Sequence, residues 1–164
     1  MTTMQDLYPD GLGYHDAHEG YIGAVAEALA IEGFPVDDWS AEANDPRDGF
    51  ASINVHAMRE THPDNPIWRN DEVFVGWSED RGWSLVTVTE SHSSDGRFVY
   101  DLIIGRVASP ASVASEVAEK VGDGVSGTGD EHPDLDFPEH SFDVDDVPFE
   151  LALRHYAPNP GGAS

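Results

Sequence analysis

An α+β domain followed by an acidic extension is the fold class the sequence predicts: an N-terminal helix, a four-stranded and mainly antiparallel sheet, and a second helix. Three observations carry it. An apolar stripe at helical spacing runs through residues 16–32, four segments of strand character joined by turn sequences fill residues 50–105, and a second helical stripe follows Ser109 and Pro110. In the first stripe Tyr21, Ile22, Val25, Ala28 and Leu29 share one side, and Gly33 is placed to stop the helix. The stretch 35–49 is turn-rich.

The four strands are expected at 50–57, 72–78, 83–90 and 97–105. The first alternates Ala51, Ile53, Val55 and Ala57 with Ser52, Asn54 and His56, which puts one face on a core and one in water. Gly82 closes a short hairpin bracketed by Trp77 and Trp83, and Asp95-Gly96 suits the next tight turn, so the last three strands form a meander. Ser109 ahead of Pro110 caps a helix whose Val113, Val117 and Val121 fall at helical spacing.

Beyond this 1–121 domain the composition changes. Residues 122–141 hold glycines, prolines and acids with too little apolar surface to offset ordering, and are expected to be a disordered linker. Residues 142–164 form an apolar docking segment and a disordered tail. Within it Phe149, Leu151 and Leu153 alternate as a strand would, while Phe149, Ala152, Leu153 and Tyr156 line a helix equally well. Asp145 and Asp146 ahead of Pro148, with Arg154 and His155 at the far end, favour the helix through its dipole. Docking on the chain's own domain and docking on a partner both stay open.

Acids outnumber bases by 32 to 8, with 22 against 7 in residues 1–121 and 10 against one in the remainder. Such a surface repels phosphates, so direct nucleic-acid binding and attachment to anionic membranes are disfavoured. The chain has no cysteine, which removes disulfides, thiolate metal sites and cysteine nucleophiles. No signal peptide and no run of 18 apolar residues is readable, and a cytoplasmic location is expected. Solubility alone accounts for a charge of this kind.

The run Gly20-Tyr21-Ile22-Gly23-Ala24-Val25-Ala26, the pair Asp45-Pro46, and the turn from Trp77 to Trp83 resemble an actinobacterial family of small α/β proteins of unknown function. The resemblance covers roughly residues 19–121. It implies the fold and a bacterial or phage setting, and brings no activity or catalytic residues. The chain departs from the family's compact form by a longer loop at 58–70 and by the acidic extension.

The candidates for chemistry are few. His15 and His18 share a helix face at i and i+3, a spacing a metal accepts, yet a structural zinc needs four ligands and a catalytic one three. His132, Asp134, Asp136 and His140 offer a second chelating set in the extension. A phosphate-binding loop and a nucleophile elbow are both missing, since Lys120 follows Glu119 in a helix and Gly124-Val125-Ser126-Gly127 is one residue short. Trp77 and Trp83 are expected to pack across strands. No cofactor is expected.

The function expected is therefore a non-enzymatic interaction module that meets a protein partner through the sheet face or through Phe142, Phe149, Leu151, Leu153 and Tyr156. The alternative is a DNA-mimic inhibitor of a basic, nucleic-acid-binding partner, its net charge of −24 matching roughly 41 Å of duplex. Glu72, Glu79, Asp80, Glu90, Asp95 and Asp101 are then the acids whose spacing matters. A metal-dependent or other small enzyme ranks third. An uncovered edge strand would permit a dimer by sheet extension, opposed by charge repulsion.

Overall fold

The computed structural model describes residues 1–89, 96–102, 104–122, 140–141 and 143–156. Five strands form one antiparallel sheet in the order β1-β2-β3-β4-β5, where β1 is Val36–Glu42, β2 Asp48–Ile53, β3 Glu72–Ser78, β4 Gly82–Val88 and β5 Arg97–Asp101. Among the described residues five α-helices accompany it: α1 Met4–Leu7, α2 Glu19–Glu32, α3 Val55–Thr61, α4 Pro110–Gly122 and α5 Val147–Arg154. The class is α+β as the sequence predicts, with one strand more than the four expected.

The sequence stripe of α2 becomes its buried side, with Tyr21, Ile22, Val25, Ala26 and Leu29 in the core, and Gly33 ends it in the left-handed region at φ 112°. α4 follows Ser109, whose Oγ accepts the Ser112 N–H at 3.2 Å, and buries Val113, Ala114, Val117 and Val121. These helices cover one face of the sheet, which contributes Ala51, Ile53, Val73, Val75, Trp77, Trp83 and Leu85 to the same core. Trp39 of β1, at the edge and 40% exposed, lies on α2, where a Cβ at Gly23 would stand 3.0 Å from its ring. That contact is a physical reason for a glycine in the middle of a helix.

Four expectations need correction. The turn-rich stretch 35–49 contains β1, an edge strand that pairs with β2 alone and carries Asp37, Asp38 and Glu42, so little apolar alternation marks it. The first expected strand, 50–57, ends at Ile53: the Asn54 side chain accepts the Ala57 N–H at 3.0 Å and starts α3, turning Val55 and Ala57 into helix residues. The expected loop 58–70 is largely α3 and a 3₁₀ turn, Pro66–Arg69, which bury Met58, Ile67 and Trp68. The last strand is also shorter than expected, stopping at Asp101.

The segment 142–156 is helical over α5. Asp146 accepts the Phe149 N–H at 3.1 Å, Pro148 stands in the first turn, and Phe149, Glu150 and Leu153 are buried against the domain. Most of the expected linker lies outside the described residues. No helix among the described residues is long and apolar enough to cross a membrane.

Candidate functional site

Two regions of the molecule carry side chains that packing alone does not explain. The first is a buried charge cluster. Arg47, directly before β2, has no exposed surface and uses all five of its N–H bonds. Nε and Nη2 donate to the two oxygens of Glu79 at 2.9 and 2.8 Å, Nη1 and Nη2 donate to those of Glu150 at 3.0 and 2.5 Å, and Nη1 also reaches the Tyr14 carbonyl at 3.0 Å. Its guanidinium stacks on the Tyr14 ring at 3.9 Å. The Tyr8 hydroxyl donates to Glu150 at 2.7 Å.

His140 extends the cluster. Its Nε2 meets Glu79 and its Nδ1 meets Asp146, each at 2.9 Å, and its ring stacks on Phe149 at 3.6 Å. An imidazole between two carboxylates is at its best as a double donor, and although burial opposes the charge, Glu79 and Asp146 raise its pKa above the usual value. Burial works against the Glu79 carboxylate too, but the hydrogen bonds from Arg47 and His140 hold its pKa down at about 2. Burial also weighs against the Arg47 charge, and the two glutamates more than offset it. Tyr8 is pushed up by burial and by its bond to Glu150, and Tyr14 up to about 12 by burial. The cluster ties the N-terminal turns, the start of β2, the β3–β4 turn and α5 into one knot.

The second region is the sheet face opposite the helices. Cross-strand register lines up Ser52, Phe74, Val86 and Val99 in one row, and Phe50, Gly76, Ser84 and Asp101 in the next. Phe50 and Phe74 meet edge to face with centroids 6.2 Å apart, and the Arg97 guanidinium lies 5.6 Å above the Phe74 ring. Phe50, Phe74, Val86, Arg97 and Val99 line a depression of about 490 Å³ together with Arg81 and the acids Glu42, Asp48 and Asp101. Val99 stays 56% exposed, and Phe50 and Phe74 stay partly exposed around the buried Val86, so no described element covers this face.

A family model described as a family of unknown function, DUF6292, matches residues 21–119. The chain belongs to that family. No curated protein and no solved structure matches it. The matched DUF6292 span takes in the aromatic centre of the domain: the Trp83 Nε1–H donates to the Tyr21 hydroxyl at 3.1 Å, Tyr21 in turn donates to the Ala108 carbonyl, and Trp77 donates to the Arg106 carbonyl at 2.7 Å. The Gly-Tyr-Ile helix and the Trp-bracketed turn, far apart in sequence, are thus one contact, and both tryptophans are buried across strands as expected. Arg47 and Glu79 also fall within the DUF6292 span, whereas Tyr8, Tyr14, His140, Asp146 and Glu150 flank it. Residues outside the matched span complete the coordination of a charge buried inside it.

The expected site residues distribute as follows. His15 is half exposed and pairs with Asp45 at 3.0 Å, while His18 is fully buried, its Nε2 shared between the Glu42 and Asp48 carbonyls at 2.9 Å each. Burial lowers the His18 pKa. The two rings therefore serve different contacts, and no group of three or more His, Asp or Glu side chains placed to hold a metal ion occurs among the described residues. Phe149 and Leu153 are core, Tyr156 packs beside Tyr21 at 5.0 Å, and Leu151 alone of the described four is well exposed, at 49%. Phe142 lies outside the described residues, as do His132, Asp134 and Asp136.

Of the acids expected at the surface, Glu79 is a correction: it is buried in the charge cluster. Glu90 and Asp95 lie outside the described residues. Glu72 and Asp101 are exposed but sit in different rows, Glu72 level with Arg97 and Asp101 level with Ser84, so they form no ridge together. Asp80 is partly buried. Arg47 was visible in one respect, being the only Lys or Arg in the first 58 residues, yet nothing in its neighbourhood names Glu79 or Glu150 as its partners.

Proposed function

We propose that this DUF6292 protein is a protein-interaction module that binds a basic, amphipathic segment of a partner on the open face of its sheet. One observation carries the reading: Phe50, Phe74 and Val99, set around the buried Val86, form an apolar floor on a face with no covering layer among the described residues. The lining acids Glu42, Asp48 and Asp101, together with the overall charge of −24, favour a cationic partner and speed its approach. The other route considered from sequence, docking through residues 142–156, is weaker because Phe149 and Leu153 are already engaged in cis. A binding role is preferred to a catalytic one because the place where acids and a histidine converge is filled by its own members. The bacterial setting that the sequence motifs suggest belongs to the same proposal.

The test is affinity capture at two salt concentrations with the unaltered protein and with Phe74→Asp and Phe50→Asp, each first shown to be folded by its melting transition. Loss of the same captured protein in both variants, and its retention in Asp37→Ala on β1, supports the open face. Equal capture by all forms rejects it.

A further inference from the structure

We propose that β5 is a self-complementary edge through which two copies of this chain join their sheets. β5 is the last strand of the sheet, and Phe98 and Val99 are 52% and 56% exposed on its two opposite faces. The helix layer therefore stops short of this edge. In the ladder with β4 the Leu102 N–H donates to the Trp83 carbonyl and the Thr89 N–H to the Gly96 carbonyl. The alternation of an antiparallel pair then points the backbone groups of Phe98 and Tyr100 at β4, and those of Arg97, Val99 and Asp101 outward. Outward groups of this kind are a template for another strand.

The sequence of β5, Arg-Phe-Val-Tyr-Asp, decides which strand fits. Set two copies antiparallel with Val99 opposite its own counterpart, and each Arg97 falls opposite the other copy's Asp101 while each Phe98 falls opposite the other's Tyr100. The register is consistent with the hydrogen bonding as well, because Arg97, Val99 and Asp101 are the residues whose backbone groups face away from β4 and, among the described residues, meet no other strand, giving about six new bonds. Two aromatic pairs form on the helix side and two opposite-charge pairs on the open side, both favourable cross-strand combinations. Arg97 has to swing from its place above Phe74 to reach Asp101 of the second copy. The result is an isologous, closed dimer with no edge of the same kind left to propagate.

The other edge, β1, does not offer this. Its sequence Val-Asp-Asp-Trp-Ser-Ala-Glu carries three acids and no base, so any self-pairing sets like charges near one another. The overall charge opposes dimerisation at long range, but that repulsion is screened within about 8 Å at physiological salt, while β5 itself is locally neutral.

This inference does not rest on the partner reading, and its test separates the two. Sedimentation of the full chain up to roughly 0.3 mM, a range in which small interfaces self-associate, is expected to show a reversible monomer–dimer equilibrium favoured by raising the salt. Arg97→Asp alone and Asp101→Arg alone, each set against its like in the second copy, are expected to weaken the dimer by roughly tenfold or more. The double swap R97D/D101R restores the pairs and with them the dimer. Phe98→Lys, on the face away from the depression, weakens the dimer and leaves partner capture intact. A chain that stays monomeric throughout, a dimer indifferent to Arg97→Asp, or a double swap that fails to restore association while the variants keep their melting transitions overturns the proposal.

Discussion

On the helix side of the sheet Ala51, Val73, Val75 and Leu85 have no exposed surface, and a fully coordinated arginine closes the structure at the β3–β4 end. On the other side the same strands present Phe50, Phe74 and Val99, with only Arg97 laid across them. Both faces alternate in the same strands, so apolar content does not distinguish them. What differs is closure: α2, α4 and α5 complete the inner side, and no described element completes the outer one. In this chain stability is to be sought where charge is buried, and contact where apolar surface is bare.

The strongest way to break that contrast is to remove the arginine. Arg47→Met takes the guanidinium from two buried carboxylates, leaving Glu79 with His140 alone and Glu150 without its ion-pair partner, and breaking a buried pair from one side costs about 3–5 kcal/mol. Urea unfolding measures it, and a loss below about 1 kcal/mol means the cluster is not formed in solution. Leu153→Ala comes next. It removes a fully buried side chain from the α5 contact and is expected to cost about 2–5 kcal/mol. If the loss is instead like that of a surface substitution, α5 is not docked on the domain.

How much of this the sequence shows depends on whether a residue's role is local. α2, α4 and β3 are legible because their apolar periods belong to single segments, and the hairpin turn because Gly82 needs a positive φ of 81°. β1 is hidden by its acids, and α3 by the chance alternation of Ile53, Val55 and Ala57 across an Asn54 cap. The open face was partly visible, since a polar or mixed outer side follows from strand alternation, but the row Phe74-Val86-Val99 requires the register of three strands. The charge cluster was not legible at all. Its members stand at positions 8, 14, 47, 79, 140, 146 and 150, and each taken alone reads as a surface group or a turn residue.

Titration probes the inner side more gently. The folded pKa of Glu79 is depressed to about 2 from an ordinary 4.5, so its contribution is present above about pH 4.5 and is lost as pH falls toward 2. His140 has a raised pKa, so its contribution is complete below about 6.5 and disappears as pH rises through the folded value. His18, with a lowered pKa, acts in the opposite sense and subtracts stability as pH falls below 6.5, because the unfolded chain takes up a proton that the buried ring refuses. Melting temperature against pH is therefore expected to decline on the acid side, and on the alkaline side to show a limb that His140→Gln abolishes. Persistence of that limb in His140→Gln assigns it to another group.

The smallest stability effect is expected on the outer face, and its smallness is what gives it meaning. Phe74→Ser removes a ring that is only partly buried, touched by Phe50 and by Arg97, and is expected to cost about 1 kcal/mol or less, within the range of surface substitutions. A side chain with so little part in holding the fold together, set in the centre of an apolar row, is exposed at some cost in solubility, and contact is the role that accounts for it. If Phe74→Ser lowers stability by several kcal/mol, the ring is covered in solution by residues beyond those described, and the two faces are alike after all. If stability is kept while capture of a basic partner is lost, the faces differ as their closure implies: the knotted side keeps the shape, and the bare side uses it.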